Sequence, residues 1–398
     1  MKRLLLLFCL SFLCHACVSE HQQINPLEQL DSFALTELHL ITDTLPWKNK
    51  VRAKAICNSL DTLDLKFRLR GGGSAQFAKH NYLLEFKNKQ RFSSGIFDDD
   101  IILTANYIDK TFLRHVLNYE LFNAMDSVNK APKTQFIWFK QNQEEKGLYV
   151  LMEKVNAGML NLNKKDTSAC LFKGTRFLTK EVQTVFQDPS NKYHQKFPDL
   201  KKRDKSYEIE NLRNFILNSS DSVFLADFEA YFNLNNILDW YILLSFSNNH
   251  DGELKNFYLY KKDVNSPFLF SIWDCDDSFG RSGGNHLNIN LPEVNMRKSI
   301  LFDRLISHPE FKFEEQLNER YEKHKETLLN EDTLIQKIEN YYQQLQPYLI
   351  RNAEIWPLDN SAYQDKASAR DEYDLLIKFI HKRSAEFEAR KSLIPLID

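Results

Sequence analysis

The chain has 398 residues with Lys plus Arg 52 against Asp plus Glu 54, and a net charge of −2 supplies no global positive field to draw it onto a nucleic acid. Gly and Pro number only 11 each, well under the roughly 12% combined share of ordinary proteins, which excludes collagen-like, Gly/Ser-linker and Pro-rich disordered classes. Thirty Phe and 16 Tyr supply a large core, and the length accommodates two or three domains or one two-lobed unit.

Residues 1–16 read as a signal peptide: Lys2 and Arg3 precede an apolar run from Leu4 to Leu13 that is too short to span a bilayer. Ala16 directly before Cys17 resembles the lipobox of bacterial lipoproteins, which predicts a diacylated Cys17 followed by a polar tether over 17–34. The alternative is an ordinary secreted chain cut near Ala16. No later segment approaches eighteen uncharged apolar residues, so any membrane contact is expected through the lipid anchor only. The expected location is the cell envelope, as a lipoprotein of the outer membrane and periplasm or of the cell surface. Of the remaining cysteines, Cys57, Cys170 and Cys275 are too few for a disulfide framework, and a single Cys57–Cys170 bridge stays open.

Leu35 to Ile41, Val51 to Cys57, Leu63 to Leu69 and Tyr82 to Phe86 carry β-forming residues and predict an N-terminal antiparallel sheet. Phe112, Leu113, Val116, Leu117, Leu121 and Phe122 recur at helical spacing behind Asp109, a candidate cap. Phe136 to Phe139 and Leu148 to Met152 predict a further strand pair around a charged turn. An N-terminal lobe over 35–158 and a mostly helical C-terminal lobe over 159–398 follow, with a charged insertion at about 186–222. Phe228 to Ser245 predicts a buried helix, and 300–328, 332–351 and 368–393 are helical by the same count. The fold class is α+β.

The chemistry concentrates in Asn248-Asn249-His250-Asp251-Gly252-Glu253-Leu254-Lys255-Asn256 and in Trp273-Asp274-Cys275-Asp276. Two apolar runs, Phe257 to Tyr260 and Phe268 to Trp273, flank a turn-rich stretch and predict a hairpin. With the turn centred near Asn265, Asn256 faces Asp274, and opposed Cβ atoms about ~5 Å apart let amide and carboxylate oxygens converge on one hard cation. Asp251 stands five residues before Asn256. That is the spacing of the protein-kinase catalytic loop, where an Asp accepts a hydroxyl proton and an Asn holds a metal. Nearer the N-terminus, Arg70-Gly71-Gly72-Gly73-Ser74 precedes Lys79. Such a loop lets backbone N–H groups approach phosphate oxygens, with Arg70 and Lys79 as counter-charges.

These segments together resemble the CotH kinases, secreted or surface relatives of protein kinases with a strongly diverged two-lobed fold. Arg68-Leu-Arg-Gly-Gly-Gly-Ser74 with Lys79 and Tyr82, Asn106-Tyr-Ile-Asp109 with Arg114, and Gly147 to Glu153 are similar to family motifs. So are Asn249 to Asn256, Trp273 to Gly280, and Phe302 to Leu305 with Pro309 to Phe311, all in the expected order. The resemblance implies ATP with Mg²⁺ or Mn²⁺ and phosphoryl transfer to a Ser/Thr hydroxyl of a secreted or surface protein. By position it implies Asp251 as the catalytic Asp and Asn256, Asp274 and Asp276 as metal ligands. Arg70, Gly72, Gly73, Ser74 and Lys79 fall on the phosphates, with Glu153 or Glu120 as partner of Lys79. His80 replaces the second Lys of the family's pair, and no Lys stands two residues after Asp251. Two other readings compete: a catalytically weak surface-assembly protein that keeps the fold for binding, and a nucleotide-sugar glycosyltransferase using Asp274-Cys275-Asp276 as its metal-binding motif. The last explains neither Asp251 nor the glycine loop.

Overall fold

The computed structural model describes residues 35–394 apart from 45, 48, 58–61, 181–190, 283–285 and 358–366. Residues 1–34, with the expected leader, Cys17 and the expected tether, lie outside the described residues. Strands β1 (Thr36–Ile41), β2 (Val51–Cys57), β3 (Thr62–Arg70), β4 (Asn81–Arg91), β5 (Phe97–Thr104), β6 (Thr134–Gln141) and β7 (Glu144–Glu153) close into a barrel. This corrects the expected antiparallel sheet, because β1 pairs with β6 in parallel and seals the two edges. Alternation puts Leu38, Leu40, Leu65, Phe67, Leu84, Leu103, Phe139 and Tyr149 on the inner face. An open seven-stranded sheet with that face would leave two unpaired edges, and closure removes both.

Helix α1 (Leu113–Met125) lies between β5 and β6 in the chain. Its N-cap position is Phe112 in a left-handed conformation, φ 63°. Asp109 acts from further upstream, accepting from the Arg114 N–H at 2.9 Å and from the Thr111 hydroxyl at 2.6 Å.

A second sheet, in the order β11-β10-β8-β9, is built from β8 (Cys170–Thr175), β9 (Gln195–Phe197), β10 (Lys255–Lys261) and β11 (Leu269–Ile272). Around it run α2 (Ser206–Asn218), α3 (Asp221–Tyr231), α4 (Leu234–Ser247), α5 (His250–Leu254), α6 (Ile300–Ser307), α7 (Phe313–Lys325), α8 (Glu331–Ile355) and α9 (Ala369–Glu388). The helix expected over 228–245 is two helices. Phe268 N–H bonds to Tyr231 O at 2.8 Å, and the Asn233 side chain caps α4 by accepting from Asn236 N–H at 3.0 Å. Pro309, which has no N–H, and Lys312 at φ 50° likewise divide 300–328. Within the charged segment 186–222, Ile209, Leu212, Phe215 and Ile216 form a buried stripe on α2, hidden in the sequence by the polar face around it. A sheet-rich first part and a mainly helical second part make the fold α+β. Cys57, Cys170 and Cys275 are free thiols, so the Cys57–Cys170 bridge is not formed.

Candidate active site

Helix α4 ends at Asn248 with φ 52°. The Asn248 side chain bonds across to Pro292 O at 3.0 Å and Val294 N–H at 2.9 Å, fixing the turn. Asn249 then caps the single turn α5 by accepting from Gly252 N–H at 2.9 Å, which presents Asp251 at its start. Lys255 pairs with Asp251 at 2.8 Å, and the Asn256 amide reaches Asp251 Oδ2 at 3.4 Å and Asp274 O at 3.5 Å.

The hairpin arrives at this convergence by a different register from the expected one. Phe257 opposes Ile272 and Tyr258 opposes Ser271, so Asn256 stands opposite Trp273, whose N–H bonds to Asn256 O at 3.0 Å. That is a one-residue slip from the predicted Asn256–Asp274 pairing, and in flat strands it would turn the two side chains to opposite faces. Two local features nevertheless bring the Asn256 amide to the Asp274 backbone carbonyl. Strand β10 has a bulge between Lys255 and Tyr258 against β8, and Asn256 and Asp274 are both left-handed, at φ 61° and 57°. Bulges re-aim side chains in this way, and left-handed non-glycine residues gather at functional sites.

From α1, Tyr119 accepts the Asp274 N–H at 3.1 Å and His115 Nε2 lies 3.6 Å from Asp274 Oδ1. His115, Asp274 and Asp276 each offer a ligand atom within 4.8 Å of one another. Asp274 keeps 48% of its side chain accessible. Burial raises its carboxyl, but the bond and charge of His115, then Lys173 and Arg70, outweigh that and hold it below the ordinary value. Asp276 is pushed up to about 6 by burial and by Asp274, and Asp277 to about 7 by burial and by Asp251 and Asp276. Asp274 and Asp276, with His115 beside them, fit a divalent cation, which would draw both carboxyls into the charged form.

The glycine loop follows β3. Gly71 has φ 122°, and a Cβ there would meet Ser74 Oγ at 2.3 Å. Ser74 Oγ accepts from Asn81 Nδ2 at 3.2 Å, while Gly72 and Gly73 are exposed with open space where a Cβ would stand. Arg70 places its guanidinium 4.9 Å from the centre of the Trp273 ring, beside Asp274. Lys79 is elsewhere in character. Its ammonium donates to Leu148 O, to Ala105 O at 3.1 Å and to Asn352 Oδ1 at 2.9 Å, is 1% exposed, and sits against the rings of Phe112 and Tyr149. Burial holds its pKa well below the usual lysine value. Neither expected partner reaches it: Glu153 accepts from Lys133 N–H at 2.9 Å, and Glu120 pairs with Lys337 at 2.6 Å. Both glutamates line an open cavity of about 910 Å³, whereas Lys79 lines another, of about 340 Å³, with Asn106, Leu349 and Trp356.

Across residues 67–387 the sequence matches the family described as CotH kinase protein. The chain belongs to the CotH kinase family. It is 21% identical over 342 residues to the inner spore coat protein H of Bacillus subtilis (strain 168), covering 83% of this chain and 88% of that protein. A crystal structure of the Helicobacter pylori proinflammatory kinase CtkA aligns with 77% of this chain and 95% of its own at 10% identity, with a TM-score of 0.27, too slight a likeness to add to the argument. In this CotH kinase the structure adds His115, Asp277 and Lys173 to the residues read from sequence. Asp277 was legible in the acidic run after Trp273. His115 lies 159 positions before Asp274, and only the packing of α1 against the hairpin end reveals it.

Proposed function

We propose that the chain is a metal-dependent ATP:protein phosphotransferase with a diverged two-lobed protein-kinase-like fold, acting on Ser or Thr of a secreted or surface protein and tethered in the cell envelope through lipid on Cys17. The convergence of Asp251, Asn256 and Asp274 carries the reading, since two segments 18 residues apart meet through paired left-handed residues and a bulge. Asp251 accepts the acceptor hydroxyl's proton, and its ion pair with Lys255 at 2.8 Å holds it oriented. Asn256, Asp274 and Asp276, with His115 beside them, would hold Mg²⁺ or Mn²⁺, which when bound would supply charge neutralisation for phosphate. Gly72, Gly73 and Ser74 offer backbone N–H groups to phosphate oxygens, and Lys79 and Glu153 brace the barrel side.

Labelled-phosphate incorporation into envelope extract, with ATP and Mg²⁺ or Mn²⁺, tests the reading. Transfer that chelator abolishes is expected. Metal-dependent ATP binding with no transfer to any acceptor would favour the surface-assembly protein instead. Mass spectrometry of the mature N-terminus tests the anchor, for which a diacylated Cys17 is the expected result.

A further inference from the structure

The sheet β11-β10-β8-β9 has one face crowded with cations. Lys173 opposes Tyr258 across β8 and β10, and its N–H bonds to His194 O at 3.1 Å. Direct opposition sets Lys173 on the same face as Tyr258; His194 is left-handed at φ 51° and the β8–β9 pairing is bulged, and Lys196 joins the group by the approach of its ammonium to the His194 ring rather than by alternation. The Tyr258 ring meets Trp273 edge-on at 5.9 Å, and Arg70 covers the other part of Trp273 at 4.9 Å. Lys196 Nζ lies 2.5 Å from His194 Nε2.

Two neighbouring lysines are already neutralised: Lys154 by Asp100 at 2.6 Å and Lys255 by Asp251 at 2.8 Å. Among the described residues, Arg70, Lys173 and Lys196 have no carboxylate at ion-pair distance. Burial, then Lys173, Lys154 and Arg70, pull Lys196 down to about 8, and burial with Lys196 and Lys173 drives His194 to about 4. Asp274 acts on Lys173 and Arg70 from beyond ion-pair distance, and three like charges with one such carboxylate cost the fold free energy that a further anion on the face would recover. Beyond Trp273 the sign reverses, at Asp274, Asp276 and Asp277. A face that is cationic at one end and carboxylate-lined at the other suits a polyanion whose far end carries divalent metal.

We propose that Arg70, Lys173 and Lys196 cradle the polyphosphate of the nucleotide donor, an inference that rests on the phosphotransferase reading above. Lys79, held by neutral acceptors inside the barrel wall, ties the barrel to α8 and does not reach the phosphates. The cradle spans β3, β8 and β9, so the donor chain bridges the barrel and the second sheet.

Calorimetry on the full chain with Mn²⁺ and ATP, tripolyphosphate or adenosine tests this. Lys173→Met and Lys196→Met should each weaken ATP and tripolyphosphate by about tenfold, the loss of a charge-assisted contact, and leave adenosine affinity unchanged. Lys154→Met, whose charge Asp100 already neutralises, should change ATP affinity less than about twofold. Lys196 is the most exposed of the three cations, so its variant decides the matter if Lys173→Met fails to fold. Wild-type affinity for ATP in both lysine variants would overturn the cradle and leave nucleotide binding standing. Wild-type protein that binds neither ATP nor tripolyphosphate with metal would overturn the phosphotransferase reading, and the cradle with it.

Discussion

Glu372→Gln is the perturbation whose cost the structure fixes best. Glu372 stands in the first turn of α9, wholly buried, bonding Arg114 at 2.7 Å and Arg281 through its other oxygen. Arg114 in turn pairs with Asp109 at 2.6 Å and donates from Nε to Ser278 O at 3.0 Å. The network therefore anchors the segment leading from Asp274 to Gly280 onto α1 and α9. Glutamine keeps the shape but removes one of two anions, leaving two fully buried guanidinium groups to Asp109. Removing one partner of a buried pair costs about 3–5 kcal/mol, a large share of the roughly 5–15 kcal/mol that holds a folded protein together. Equilibrium urea denaturation reads this as a lower midpoint at unchanged slope. Mn²⁺ affinity should weaken as well, because the loop bearing Asp276 and Asp277 loses its brace. A loss below about 1 kcal/mol would show that the site holds the carboxyl as a neutral acid, and would refute the ion-network reasoning.

Asp251→Ala should keep metal-dependent ATP binding and slow phosphoryl transfer by roughly 10²-fold or more, whereas Asp274→Ala should lose both. Equal transfer rates for Asp251→Ala and wild type would show that another group takes the proton. Glu253 is 1% exposed and pushed up to about 8 from an ordinary 4.5, by burial against the smaller opposing pull of Lys298. Between those values the native state holds a proton the unfolded chain has released. The stability it contributes is therefore complete below pH 4.5 and is lost as pH rises through about 8, by up to about 1.4 kcal/mol per pH unit. Glu253→Gln should flatten that slope in urea titrations from pH 5 to 8, and an unchanged slope would assign it to other groups. Gly174→Ala would set a Cβ 2.7 Å from the Phe257 ring and should cost about 1–3 kcal/mol by overpacking, read as a lower melting temperature.

Much of the local structure was legible in the sequence. Period-two runs gave Val51 to Cys57 as a strand to the residue, helical spacing located α1, α8 and α9, and ordered motifs from Arg68 to Phe311 indicated the family. These patterns rest on neighbours within a few positions, where backbone geometry and side-chain periodicity act directly. Only the tertiary structure decided the rest. The barrel closes through β1 and β6, whose paired residues stand 101 positions apart in the chain, a pairing that no local pattern encodes. The hairpin register slipped by one because the turn did not centre on Asn265, and the bulge with two left-handed residues then brought Asn256 and Asp274 together regardless. Lys79 followed a glycine loop in the sequence, yet folding enclosed its ammonium among carbonyls. No local pattern singles out Lys173 and Lys196; folding gathers them beside Arg70. Charge and burial depend on which distant segments share a volume, so the electrostatics of this site are a property of the packed chain.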